Sequence, residues 1–268
     1  MNYSEIMGFG ASILIGVSLG LIGGGGSILT LPVLVYLLHI NPIISTAYSL
    51  FIVGTTSLVG SVGYMRKNLI NYQTALIFAI PSFTTVFLTR KYLVPAIPDP
   101  IFAISGIEIS KNVGIMVFFA LIMLAASYSM IASKQEEIHE NTRKLKFNYP
   151  MIALEGGLVG ILTGIVGAGG GFLIIPALVL FARLPMKMAV GTSLLIIAAK
   201  SLIGFLGDLS NIQIDWVFLL PFTALSIVGI FLGTYISKFI SGEKLKKSFG
   251  WFVLVMGIYI IMKEVFLK

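Results

Sequence analysis

An offset of 144 residues lays the second half of this chain on the first, so that Gly16, Gly20, Gly23, Gly25, Gly26 and Pro32 fall on Gly160, Gly164, Gly167, Gly169, Gly170 and Pro176. The register runs on without a gap, carrying Ser49-Leu50 onto Ser193-Leu194, Ser57-Leu58 onto Ser201-Leu202, Gly60 onto Gly204, Gly63 onto Gly207 and Ile70 onto Ile214. Chance likeness between apolar stretches matches Leu with Val, but does not also align glycines, a proline and serines at one spacing. The chain reads as a duplication. Towards the end of each unit the offset falls to 136, setting Lys111 and Gly114 on Lys247 and Gly250, and the surplus residues of the first half gather around positions 95–106.

Each unit consists of five apolar segments, near 6–22, 28–38, 44–64, 72–88 and 113–131 in the first and 151–166, 172–182, 188–206, 214–236 and 249–266 in the second. Hydrophobic residues make up 57% of the chain, charged residues 11%, and the mean hydropathy is +1.01. A soluble domain carries about 25% charged residues. Most segments approach the roughly 20 residues that cross a hydrocarbon core, whereas the second of each unit is too short to cross alone and reads as a half-helix. The expected fold is an all-α polytopic membrane protein, with repeats at 1–132 and 149–268 joined by a linker at 133–148. Met1 to Glu5 lack the cationic start of a signal peptide, so the first segment reads as a retained helix.

Five segments per unit is an odd number, so the second unit enters the membrane from the opposite side and the repeats have inverted topology. Alternating loops then place twelve Lys and Arg residues on the side of Arg66, Lys67, Lys187 and Lys238, and five, among them Arg90 and Lys111, on the other. The richer side is the cytoplasmic one by the positive-inside rule, which puts the linker in the cytosol and both termini outside, in a cytoplasmic membrane. The net charge of +7 is spent on these loops, and no nucleic-acid partner is expected. With no Cys and only His39 and His139, neither a disulfide nor a zinc site is expected, and nothing calls for a cofactor.

Gly23-Gly24-Gly25-Gly26 and Gly167-Ala168-Gly169-Gly170-Gly171 each separate a long segment from a short one. Such runs let the chain break its helix, and broken backbone at membrane depth is tolerated only where protein or a polar cavity surrounds it. Half-helices that start near Ser27 and Gly171 would aim the positive ends of their dipoles at an anion. Gly24, Gly25, Gly26, Ser27, Gly169, Gly170 and Gly171 are therefore candidate substrate contacts. The competing reading is tight packing alone, which the spaced pairs Gly16/Gly20 and Gly160/Gly164 suit better.

Lys200 lies within an otherwise apolar segment, where an ammonium costs about 2.5–3.5 kcal/mol on insertion scales. Either it faces an anion, or it snorkels or pairs with Asp208. Its counterpart in the first unit is Thr56, beside Thr55. Ser49 and Ser193, with Tyr48 and Thr192 next to them, occupy matched positions where hydroxyls would complete an oxyanion shell or simply bond the backbone one turn back. Glu155, matched by Ala11, is either a proton-coupling carboxylate or an interfacial charge. No catalytic constellation stands out: Ser201 adjoins Lys200, but adjacent helical residues point about 100° apart.

These matched units resemble the sulfite exporter TauE/SafE family of membrane transporters. The second half carries the plainer pattern: Gly164-Ile165-Val166-Gly167-Ala168-Gly169-Gly170-Gly171 through Pro176, then Ala189-Val190-Gly191-Thr192-Ser193 and Ile214-Asp215-Trp216. The first half departs from it, with Ala47-Tyr48-Ser49 and Asn71-Tyr72 at the matching places. The resemblance implies secondary transport of sulfite, thiosulfate, a sulfonate or a related organosulfur anion. A proton or sodium ion is the coupling partner to consider, and an oligomer is compatible with the sequence. The residues alone support an anion pathway and leave open a passive anion channel, a non-sulfur anion and an intramembrane enzyme.

Overall fold

The computed structural model describes residues 3–104, 107–132, 149–167, 170–180, 182, 184–209 and 212–266. The linker at 133–148, Gly169 and both chain ends lie outside them. In order come α1 (Tyr3–Ile22), α2 (Gly25–Pro32, continued by a π turn at Val33–Leu37), α3 (Pro42–Met65) and α4 (Tyr72–Leu88, prolonged by a π turn at Thr89–Leu93). A short antiparallel hairpin, β1 (Phe102–Ile104) with β2 (Ile107–Ile109), precedes α5 (Lys111–Ala132). The second half repeats the series with α6 (Tyr149–Val166), α7 (Gly171–Leu180), α8 (Met186–Asp208), α9 (Trp216–Ile236) and α10 (Gly242–Ile261). The hairpin, in and beside the surplus residues of the first half, is the one departure from an all-α chain among the described residues.

Five of these helices are long and apolar enough to cross a membrane, and the stretches in α1, α2 and α6 are shorter apolar helices. Local signals explain several of the starts. Asn41 Oδ1 accepts from the Ile43 N–H ahead of Pro42, Asn71 Oδ1 accepts from the Thr74 N–H, and Asp215 Oδ1 accepts from the Phe218 N–H. Each side chain satisfies a donor that a helix start leaves unpaired. The two caps at Asn71 and Asp215 occupy matched positions and are held alike. The Asn71 N–H donates to Thr192 Oγ1 at 3.0 Å, and the Asp215 N–H donates to the Tyr48 hydroxyl at 2.8 Å. The Tyr48/Thr192 and Asn71/Asp215 departures between the halves thus perform one structural task with different side chains.

The main helix packing runs between the halves: α1 lies on α9, α4 on α6, α3 on α8 and α5 on α10. The spaced glycines are what allow it. A Cβ on Gly16 or Gly20 would collide with the α9 backbone at Ser226 and Ile230, and one on Gly229 or Gly233 would collide with that of α1 at Ile13 and Val17. On the other side, Gly156 and Gly160 meet Phe78 and Ser82 of α4 in the same way. Side-chain hydroxyls tie both seams, Ser226 donating to the Ser12 carbonyl at 3.0 Å and Thr85 to the Gly157 carbonyl at 3.0 Å. Gly16→Ala is expected to lower the melting temperature in detergent, since overpacking costs about 1–3 kcal/mol. Gly10→Ala, whose Cβ would meet nothing within 4 Å, is expected to leave it unchanged or slightly raised.

The polarity of the molecule is inverted relative to a soluble protein. Val217 is 87% exposed, and Leu154, Leu76, Phe231 and Val255 also face outward, whereas Lys200, Arg90, Thr56, Ser57 and Ser201 are fully enclosed. An apolar exterior around a polar interior is what hydrocarbon selects. The centre is formed by α3 and α8, the most enclosed of the long helices.

Candidate functional site

Both helix breaks are real. The α1 helix stops at Gly23, whose φ of +78° places it in the left-handed region that costs glycine nothing. The chain then turns back on itself, and Gly26 packs so closely on Ile15 and Leu19 that a Cβ would not fit. In the second half Gly167 (φ +69°) and Gly170 (φ +72°) take the left-handed conformation ahead of α7. No side chain caps α2 behind Gly24.

The breaks abut α8 and α3 in matched fashion, Gly23 lying against Val190 and Ser193, and Gly167 against Thr46, the counterpart of Val190. They also meet each other: a Cβ on Gly24 would strike the Gly171 backbone, and one on Gly171 would come 2.5 Å from the Gly24 Cα. The sequence leads to a substrate held between the two breaks. In this conformation they are closed on one another backbone to backbone, so entry there requires them to part.

Lys200 reaches the second break. Its Nζ donates to Thr163 Oγ1 of α6 at 3.0 Å, and a Cβ on Gly170 would lie 2.5 Å from that nitrogen. The side chain is completely buried. Asp208 is not its partner: the Asp208 carboxylate accepts from Arg90, at 2.8 Å from Nε and again from Nη2, while Arg90 Nη1 donates to the Gly164 carbonyl at 3.2 Å. Among the described residues no carboxylate forms an ion pair with Lys200. Its amine thus stands beside the N-terminal end of α7, where the helix dipole would make an ammonium unfavourable. An anion between the two would reverse an unfavourable juxtaposition.

Hydroxyl groups line the α3/α8 centre on both sides. Ser49, Thr56, Ser57 and Ser201 are buried with no hydrogen-bond partner for their side-chain oxygens, a costly state for polar atoms away from water. Thr55 is half-buried. Ser193 donates to the Val190 carbonyl at 2.8 Å and approaches the Gly23 carbonyl at 3.5 Å. Thr192 Oγ1 accepts from the Asn71 N–H at 3.0 Å, which leaves its own O–H proton to donate. Glu155 is only partly exposed and its Oε1 is enclosed without a partner; it lies on α6, away from Lys200 along the helix. Gly25 and Ser27 fall in the first turn of α2.

Two participants escape a reading of the sequence. Thr163 is matched by Leu19, so a hydroxyl standing where the first repeat has a leucine was the available signal. Arg90, counted from the sequence among the loop charges, is instead enclosed within the π turn that prolongs α4. Thr89, Arg90 and Lys91 interrupt the apolar run after Leu88, and Tyr92-Leu93-Val94 continue it. Taking Arg90 out of the loop count leaves twelve basic residues against four, and the asymmetry keeps its sign.

A polytopic helical membrane protein with paired broken helices around a polar, cation-bearing centre has the form of a membrane transporter. The profile of the family described as "Sulfite exporter TauE/SafE" matches residues 8–260, and the chain belongs to that family. A probable membrane transporter protein of Xylella fastidiosa (strain 9a5c) is 30% identical, covering 97% of this chain and 96% of its own length. Another, from Bacillus subtilis (strain 168), is 24% identical over 97% of this chain and 100% of its own. A probable membrane transporter protein of Methanocaldococcus jannaschii is 34% identical over 43% of this chain and 47% of its own. No solved structure matches the chain.

Proposed function

We propose that this protein is a secondary transporter of a small oxyanion, sulfite or a related organosulfur anion, working by alternating access between two inverted repeats. The observation that carries the reading is the Lys200 amine, fully buried without a carboxylate and set against the positive end of α7. An anion bound there would hold the amine as its ammonium and face the positive helix end at the same time. The unpartnered hydroxyls of Ser49, Thr56, Ser57 and Ser201 supply further donors along the α3/α8 interface. Exchange of partners supports a two-fold relation between the repeats, since α1 lies on α9 as α6 lies on α4, and Gly23 meets Val190 as Gly167 meets Thr46; the odd number of segments per repeat is what makes that relation inverted.

Transport then consists of parting the breaks at Gly24 and Gly171 towards one side at a time, with Lys200 holding the anion while the halves rock. The sulfur assignment rests on the family description. On this reading both termini lie outside and the linker in the cytosol, which the distribution of loop cations supports. A passive channel would need a continuous path, but the two breaks meet backbone to backbone at Gly24 and Gly171.

The test is uptake of labelled sulfite into liposomes holding the purified protein, with thiosulfate, short sulfonates, phosphate and acetate as competitors. Saturable uptake competed by the sulfur anions is the expected result. Flux that rises without saturation would turn the assignment to a channel. Saturable flux of phosphate or acetate without sulfite would discard the sulfur substrate and keep the mechanism.

A further inference from the structure

A second cationic site lies at the opposite end of α8 from Asp208. Between the α3–α4 turn, the start of α8 and the end of α9 is a cavity of about 260 Å³, bordered by Lys67, Lys187 and Lys238, with Tyr64 and Ser237 at its side and Val190 on its wall. At about 30 Å³ per water, that space takes a hydrated oxyanion. The three lysines come from three separate elements, and no carboxylate borders the cavity among the described residues. Lys187 stands in the first turn of α8, where a carboxylate would suit the dipole and a cation does not. Lys67 registers the crowding: burial, then the charges of Lys238 and Lys187, draw its ammonium below the ordinary lysine value.

Orientation in the membrane accounts for basic residues on this side of the protein, but not for three of them bordering one cavity. At the offset of 144, Lys67, Lys187 and Lys238 correspond to Asn211, Ile43 and Val94, so the pseudo-equivalent end carries no lysine at any of the three places. That end instead holds the enclosed Arg90–Asp208 pair, with Lys111 donating to the Val94 carbonyl at 2.6 Å. The cavity lies next to the first break, since Val190 touches Gly23 and the Tyr64 hydroxyl donates to the Gly20 carbonyl at 3.3 Å.

We propose that this cavity is a second binding site for a small tetrahedral or pyramidal oxyanion, which receives the substrate before it passes the Gly23 break towards Lys200. The inference rests on the anion-transport reading and deepens it. It assigns the lysine end as the side of capture, with the uncompensated charge of three ammonium groups and a helix start concentrating anions at the mouth.

The test is titration of the full chain in phosphatidylcholine nanodiscs with sodium sulfate at low ionic strength, followed by calorimetry. K67Q/K187Q/K238Q is expected to weaken sulfate binding by about tenfold or more. K67R/K187R/K238R should retain the affinity, which separates charge from misfolding, and Lys200→Met should leave this site intact. Wild-type affinity in the Gln variant would overturn the proposal. Binding that follows the lysines in a protein that moves no anion in liposomes would uphold the site and end the transport reading. Phosphatidylglycerol in the disc distinguishes the source of the oxyanion: if it displaces sulfate through the same lysines, the occupant is a lipid headgroup and the substrate-capture role falls.

Discussion

Arg90→Met is expected to destabilise the protein by about 3–5 kcal/mol, the usual loss when one member of a buried ion pair is removed. The size follows from what would be left behind. Asp208 is almost fully enclosed and the described structure pairs it with Arg90, so its carboxylate would keep its desolvation penalty and lose its compensation. The Gly164 carbonyl would lose the Arg90 Nη1 donor as well, loosening the α4–α6 seam. The measurement is a thermal melt of the purified protein in detergent. R90M/D208L should recover most of the loss, because an apolar pair of similar volume removes both charges together. A melt of the single variant equal to wild type would mean that water or lipid headgroups reach Asp208 and that the pair is not sealed. Recovery in the double variant with impaired transport would point instead to a latch that the rocking motion has to use.

The broad architecture was legible in the sequence because hydrocarbon leaves the chain few options. Every backbone group has to be paired within a helix, so apolar runs at 44–64 and 188–206 could only be helices, and they extend as α3 and α8. The short segments after the glycine runs formed half-helices for the same reason. What could not be read was the partner of each helix. Gly16 and Gly20 announce a close contact but do not name α9 as the helix that supplies it. Nor does hydropathy foresee a π turn: the extra residue per turn at Thr89–Leu93 carries Arg90 inward where a loop had been expected.

The candidate site was legible unevenly. A lysine in an apolar segment is conspicuous in any sequence, and Lys200 lies beside a glycine break. Its actual neighbour Thr163, 37 positions earlier, could be picked out only by the mismatch with Leu19. Thr192 looked equivalent to the other hydroxyls by composition, yet its oxygen serves the start of α4. Hydroxyls with structural and functional roles carry the same letter, and only the partner distinguishes them.

On the proposed transport reading, Lys200→Met weakens sulfite binding by about 10- to 100-fold, the equivalent of one charge-assisted hydrogen bond at about 1.5–3 kcal/mol, with uptake at low substrate falling in proportion. The same variant is expected to melt at or above the wild-type temperature. An ammonium kept from water costs stability, and Thr163 is its only hydrogen-bonding partner among the described residues, so a methionine of similar length relieves the burden at little loss of packing. The two readouts together separate the explanations. If Lys200 served only to hold α8 against α6, its removal would lower the melting temperature and affect transport only as far as the fold suffered. If it holds the anion, affinity falls while stability holds or rises, the pattern of a residue retained for function at a cost to the fold. Thr163→Val provides the complementary arm, taking away the hydroxyl and leaving the cation without its neutral partner, and it should reduce stability while preserving most of the affinity. Wild-type sulfite affinity in folded Lys200→Met would remove the lysine from the mechanism and leave the hydroxyls of α3 and α8 as the remaining donors.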